Sequence, residues 1–405
     1  MHILSKHYRE EFLTADSIAR FVLAESDVPG MHPSLILKTN SQILKNLIRD
    51  KRFSLLFSII PPDNYLVYGV RINDDPEHPA VIWTMAERQE ELDSIVSFLK
   101  IKKCPVYLFN EAMANICWSE VGFGSELGVV KQLVTCVNLC PSNKVEEFDV
   151  YIGKMLDNSR KYSLSQLFEA PILGECVWHE VNNYYLTNNG RPSQLAVISE
   201  DEGAQQEEIG VWFLDTLSIS GAVKNPQVVE SGKLRELSDV LVNYSNGCFL
   251  LESKSLAVFA RPKSPDRAKL EKGVKKHLDK AISQLQGACR NIRKGNKVID
   301  SDGHELDLNR KQPIHCMVLI PDLGLLAGIG RFWEKVIRPF GVTTGDILHV
   351  LDPNELRRCV GHAQYLSKKA KKVSPMMAFD FILMERFKAS SGIDTPNFNL
   401  RLKAE

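Results

Sequence analysis

Three residues stand out by type and spacing: Asp239, Glu252, and Lys254 two positions after that glutamate. A carboxylate on one strand, faced by a carboxylate and an ammonium on the next, makes a site for a hard divalent cation. Oxygen ligands of this kind suit Mg²⁺ or Mn²⁺. One or two carboxylates hold such an ion, and substrate phosphate completes its coordination. A nearby lysine orients the attacking water or neutralises developing charge. Two carboxylates side by side repel each other, so the arrangement needs the cation, the lysine or both. The chemistry these residue types predict is metal-assisted attack on a phosphate ester.

The elements that must position them are local. Residues 238–242 form a short apolar and β-branched run, 243–247 (Asn-Tyr-Ser-Asn-Gly) a turn cluster, and 248–251 a second apolar run. Together they predict a β-hairpin. At spacing two, Glu252 and Lys254 point to one face. A helix is expected before the hairpin over 204–217, with Ile209, Trp212, Phe213 and Leu217 as its apolar stripe. Its first turns carry Glu207 and Glu208, where the helix dipole favours acids. Of these, Glu208 is assigned to the site, with Glu230 and Glu236 as alternatives. After the hairpin, residues 263–297 carry many Lys and Arg against only Asp266, Glu271 and Asp279. Leu270, Val274, Leu278, Ile282, Leu285 and Ile292 recur at helical spacing, which predicts a long amphipathic helix. Its basic face can bind a phosphate backbone without sequence preference, and Gln284 lies on it. Apolar runs at 314–320 and 347–351 predict further strands, the second followed by Asp352 as a helix cap.

This stretch resembles the PD-(D/E)XK nuclease superfamily, which places an Asp on one strand and Glu-x-Lys on the next. Here these are Asp239 and Glu252-Ser253-Lys254, with Ser238 where the nominal Pro would stand. The family often adds an acid on the preceding helix and a Gln on the following one, matched by Glu208 and Gln284. The resemblance spans about residues 200–360. It implies a restriction-endonuclease-like mixed sheet flanked by helices, and a Mg²⁺-dependent (or Mn²⁺-dependent) endonuclease acting on DNA rather than RNA. Asp239, Glu252 and Glu208 would be the metal ligands, and Asp239, Glu252, Lys254 and Gln284 the catalytic group. Many such enzymes cut as dimers or larger assemblies, so a homo-oligomer is expected. An unfamiliar N-terminal region before a nuclease of this type also looks like the Shedu antiphage defence proteins, which implies a role in bacterial defence against foreign DNA. A second class of function stays open: a nuclease-like scaffold that binds nucleic acid or a partner protein without cutting.

The 405 residues are enough for two or three domains. An apolar fraction of 44% and a charged fraction of 25% are those of an ordinary globular chain. The formal net charge is zero, so nucleic acid must be held by local patches. The nine Cys lack paired metal spacing and read as reduced thiols of a cytoplasmic protein. The first eleven residues are too charged for a signal peptide, and no apolar run reaches the ~18 residues of a membrane span. Overall the pattern is α/β (α+β). Residues 1–140 are expected to be an α+β domain for sensing, specificity or assembly. Within it, Thr14 would cap a helix bearing Ile18, Ala19, Val22 and Leu23, and Asn40 or Ser41 would cap a second. Strands are expected at 53–60, 65–72, 80–85 and 106–109. A helix is expected at 88–100, with Glu87, Glu90, Glu91 and Asp93 marking its solvated side. Residues 141–200 would form a bridge, 201–365 the nuclease-like domain, and 366–405 a basic linker with a final helix.

Overall fold

The computed structural model describes residues 6–25, 31–74, 79–124, 127–144, 152, 167–198, 201–244, 246–260, 267–370, 372–391 and 393–396. The chain is mixed α/β, with sheets flanked by helices. It divides into two compact units, Met1–Val181 and Asn182–Glu405. Among the described residues no helix is long and apolar enough to cross a membrane.

The first unit contains α1 (Lys6–Thr14), β1 (Ile18–Glu25), β2 (Met31–Lys38), α2 (Ser41–Asp50), β3 (Ser54–Ile60), β4 (Tyr65–Ile72) and β5 (Ala80–Met85). It continues with α3 (Gln89–Ile101), β6 (Lys103–Phe109), β7 (Asn115–Gly122), α4 (Leu127–Leu133), β8 (Leu167–Pro171) and β9 (His179–Glu180). Two sheets result, in the orders β1-β2-β6-β7-β9 and β5-β4-β3-β8. Asn40 caps α2 as expected, its side chain accepting from Ile43 N–H at 2.9 Å.

Three expectations for this unit fail. Residues 18–25 are a strand, not a helix capped by Thr14: α1 ends at Thr14, and β1 pairs antiparallel with all of β2. Ala19 and Phe21 are buried on one face and Ile18 and Val22 on the other, so no alternation betrays the strand. Glu91 is not solvated. It is wholly buried, with Arg20 Nη1 2.7 Å away and the Tyr68 hydroxyl donating to it. Arg20, itself 2% exposed, also pairs with Glu11 and Glu87. A buried charge survives only when paired and hydrogen-bonded, and here the partners come from three elements. The bridge expected over 141–200 is not one piece either. β8 adds to the edge of β3, and residues 183–195 fold into the second unit.

The second unit opens with the hairpin β10 (Asn183–Leu186) and β11 (Pro192–Leu195), then α5 (Glu202–Asp215). Next come β12 (Val223–Lys224), β13 (Gln227–Glu230), β14 (Lys233–Glu236), β15 (Val240–Tyr244) and β16 (Gly247–Ser253). After the long α6 (Arg267–Arg293) come β17 (Val298–Ile299), β18 (His315–Leu319), α7 (Arg338–Thr344), β19 (Ile347–Leu351), α8 (Pro353–Lys369) and α9 (Pro375–Ser390). The central sheet runs β12-β15-β16-β18-β19. Its first two pairings are antiparallel and its last two parallel. Every residue of β16 is buried, as a central strand covered on both faces requires. Cys248 and Leu250 face α6, in one core with Val274, Leu278, Leu285 and Ile292. On the other face Leu251 meets Gly210 of α5, and Phe249 meets Phe379 of α9. Each wholly buried Leu contributes about 2 kcal/mol, so this stripe, more than helix propensity, fixes the 27-residue α6. The start of the expected basic stretch, residues 263–266, lies outside the described residues.

The C-terminal region is not a linker followed by a loose helix. The helix α8 runs on to Lys369, and α9 docks onto the core. There Arg386 bonds Glu355 at 2.7 Å and the Val350 carbonyl at 3.0 Å, buried. Asp352 caps α8 as its position after a strand predicts, accepting from Glu355 N–H at 2.8 Å.

Candidate acidic site

The hairpin forms as the turn cluster predicts. The strands β15 and β16 pair with Val240 opposite Leu251 and Tyr244 opposite Gly247. Extending that register by one places Asp239 opposite Glu252. Alternation puts Glu252 on the sheet face of Cys248 and Leu250, the face packed by α6. Both acids are buried, Asp239 at 6% and Glu252 at 1% exposure. The Lys254 ammonium lies between them, 2.8 Å from Glu252 Oε2 and 3.8 Å from Asp239 Oδ2. Asp239 Oδ2 also accepts the Ser253 N–H at 2.5 Å, which ties its carboxylate to the neighbouring strand. The three residues singled out by spacing are therefore brought together.

The supporting residues differ from expectation. Glu208 pairs with Lys224, which lies opposite Val240 in the sheet, and accepts from Ser193, so its carboxylate is already engaged. The helix acid that feels Asp239 is Glu207. Burial first, then the Asp239 charge, pushes its carboxyl up to about 7. The reason is helical phase. Gly210 rests against Leu251 and Leu319, so the residues three and four positions earlier, Glu207 and Gln206, lie on the stripe that meets the sheet. A glycine inside an otherwise good helix was the available signal. Gln206 was not anticipated at all. Its amide donates to the Leu319 carbonyl at 3.0 Å and to the Lys254 carbonyl at 3.3 Å, anchoring the backbone that carries the ammonium. Gln284 is exposed on α6 and bonds none of these groups among the described residues. The spacing that makes Leu285 the buried residue turns its neighbour to solvent. Of the alternatives, Glu236 bonds the Asp239 side chain. Burial, and then Asp239, raises its carboxyl above the usual range. Glu230 instead pairs with Arg235 at 3.3 Å.

Three carboxyl groups, Glu236, Asp239 and Glu252, thus gather around Lys254, and Glu207, 3.9 Å from Lys224, feels Asp239 from beside them. Burial, and next Asp239, pushes Glu252 up to about 7 as well, against the opposing pull of Lys254. Comparison with known proteins finds no matching family model, no matching curated protein and no matching solved structure. The geometry must carry the functional reading by itself. Buried carboxylates this close together repel one another when ionised, and a divalent cation would offset that repulsion. The donor set is all oxygen, which fits Mg²⁺ or Mn²⁺.

A second acidic group serves as a contrast. Asp300, Asp302 and His304 are the described residues whose ligand atoms crowd within 4.8 Å of one another. They form a surface turn in which Asp300 accepts the N–H groups of Asp302 and His304, at 2.8 and 2.9 Å. Arg191 already neutralises it, 2.5 Å from Asp302 and 3.5 Å from Asp300.

Beside the acidic centre runs a basic surface. On α6, Lys272, Lys276 and Lys280 are exposed, four residues apart on one face. Next to them His277 bonds the Ser255 backbone, and burial first, then Lys254, Lys280 and Lys276, hold its proton affinity down. His277, beside Lys276, thus brings this part of α6 near Lys254.

Proposed function

We propose that the Asn182–Glu405 unit is a metal-dependent phosphodiesterase of the PD-(D/E)XK type acting on DNA, in a role such as defence against foreign DNA. The observation that supports this most is the buried Asp239–Glu252 pair with the Lys254 ammonium between the two carboxylates. Asp239 and Glu252 would hold Mg²⁺ or Mn²⁺, with Glu207 as the third acid. A bound ion supplies Lewis-acid polarisation of the phosphate and a more acidic water. The chain's own residues do the rest. Lys254 would place a positive charge where the pentacoordinate phosphoryl group gathers negative charge. Ser253 N–H holds the Asp239 carboxylate in one orientation, and Gln206 holds the Lys254 backbone. The α6 lysines would take the flanking phosphates and leave the bases unread, so cleavage would show little sequence preference.

Linear, plasmid and single-stranded DNA incubated with Mg²⁺, Mn²⁺ or EDTA test the reading. Cleavage with either metal and none in EDTA supports it. Salt-sensitive DNA binding with no cleavage of any form replaces it with a nucleic-acid-binding scaffold.

A further inference from the structure

At the far end of α6 from the acidic centre, a cavity of 330 Å³ opens against the end of α7. It is lined by Gln286, Cys289, Arg290, Arg293, Lys294, Thr343 and Thr344. Three of these seven are cations. Arg293 is engaged: it pairs with Asp346 and donates to the Arg310 and Gln312 carbonyls. Arg290 and Lys294 are exposed, and neither side chain meets an acid among the described residues.

Basic residues at a helix C-terminus commonly serve the carbonyls there. Here those carbonyls have other donors. Ile292 O takes the Arg310 guanidinium at 2.7 Å and Gly295 N–H at 3.0 Å, and Arg290 O takes Lys294 N–H at 3.0 Å. At the end of α7, the hydroxyls of Thr343 and Thr344 donate to Pro339 O and Phe340 O at 2.8 and 2.9 Å. Gly345 N–H closes on Gly341 O at 2.8 Å. These acceptors beside the cavity are thus engaged within the fold. Facing the cavity stand an arginine fork, an ammonium and the Gln286 amide.

We propose that this cavity binds a phosphate ester, with Arg290 and Lys294 as its cations and Gln286 beside them. A guanidinium fork matches two phosphate oxygens at once, and the ammonium takes a third as a point charge. The volume falls at the small end of ligand pockets and suits a nucleotide-sized anion, not a large cofactor. The site is separate from the acidic centre. Arg290 lies thirteen positions beyond His277, about 20 Å along the helix. The phosphate can belong to a free nucleotide or to a nucleic-acid end. The inference does not depend on the phosphodiesterase reading.

Calorimetric titration of the full chain in EDTA tests it. The probes are inorganic phosphate, AMP, and an oligonucleotide bearing either a 5′-phosphate or a 5′-hydroxyl, at constant ionic strength. The variant is Arg290→Glu with Lys294→Glu. Lys100→Glu with Lys131→Glu in the first unit gives the same charge change as a control. Saturable binding of a phosphate probe that weakens at least ~10-fold in the first pair and stays within ~2-fold in the control supports the site. Tighter AMP binding identifies a free nucleotide as the source. A preference for the 5′-phosphate over the 5′-hydroxyl identifies a nucleic-acid end. If the glutamate pair lowers the melting temperature, Arg290→Gln with Lys294→Gln carries the same comparison. No saturable binding of any phosphate probe, or binding unchanged by both substituted pairs, overturns the proposal.

Discussion

At the residue scale, Glu207 and Glu208 are adjacent acids that share Lys224, which lies 2.5 Å from Glu208 and 3.9 Å from Glu207. Burial and then Asp239 push Glu207 up, against the pull of Lys224. If the acidic centre holds the ion, Glu207→Gln lowers metal-dependent cleavage by ~10- to 100-fold, the loss typical of groups that support a metal site. Glu208→Gln stays within ~3-fold. Initial rates of the two purified variants, measured side by side, distinguish these outcomes. The same unit holds a buried histidine with a different consequence. His349 Nε2 lies 3.0 Å from His315 Nδ1, and His315 Nε2 lies 2.8 Å from Asp380. His349 Nδ1 has no hydrogen-bond partner among the described residues. Burial, then His315, then Arg386 hold His349 well below its usual range. The unfolded chain takes up a proton on this ring near the ordinary value of ~6.5, and the folded chain resists it. The stabilisation is therefore whole above that value and lost as the pH falls below it. Urea midpoints should fall more steeply between pH 7.5 and 5.5 in the native chain than in His349→Gln, which cannot take up the proton. Parallel slopes would contradict this.

At the scale of elements, β4 and β5 approach so closely that Gly69 has no room for a side chain. A Cβ there would lie 2.4 Å from the Ile82 carbonyl and 2.8 Å from Trp83 Cα, both backbone atoms that cannot swing aside. Gly69→Ala should cost about 1–3 kcal/mol, the range of overpacked interiors, by separating a strand pair that runs from Val67 opposite Met85 to Ile72 opposite Ala80. Thermal melts check it, and an unchanged melting temperature would contradict the packing. Nothing around Gly69 in the sequence reveals this close approach, because Trp83 lies fourteen positions away. The hairpin was legible for the opposite reason. Its apolar runs, its turn residues and the Glu252–Lys254 spacing all lie within about twenty positions, where local periodicity decides. The helix α6 was legible because its stripe repeats over many turns. The strand β1 was not, because burial on both faces erases alternation. The Arg20–Glu91 pair was invisible because its members are 71 positions apart. The choice between Glu207 and Glu208 needed the phase that Gly210 sets against Leu251, a tertiary contact. Likewise, the docking of α9 rests on Arg386 reaching Glu355, which the basic composition around residues 367–372 concealed.

At the scale of the whole molecule, the formal net charge of zero means that long-range attraction to nucleic acid is weak and binding must be local. The row Lys272, Lys276, Lys280 on α6 is an exposed basic patch on the helix whose His277 feels Lys254. If it carries the phosphate backbone, Lys272→Glu with Lys276→Glu should weaken DNA binding similarly across unrelated sequences. The log–log salt slope should then drop by about one for each phosphate that is no longer neutralised. An unchanged slope, read by fluorescence anisotropy over a salt series, would place DNA elsewhere on the molecule. The first unit has its own two-sheet core and the buried Arg20–Glu91–Tyr68 network, and those charges are consumed in holding it together.

The central claim is that Asp239, Glu252 and Lys254 form one metal-dependent hydrolytic centre. The most direct measurement compares DNA cleavage in Mg²⁺ by the native chain, Glu252→Ala and Lys254→Ala, each shown by its melt to be folded, with EDTA as the blank. The account predicts cleavage by the native chain, none in EDTA, and a loss of at least ~100-fold in each variant. Cleavage that persists in both folded variants, or in EDTA, would contradict it.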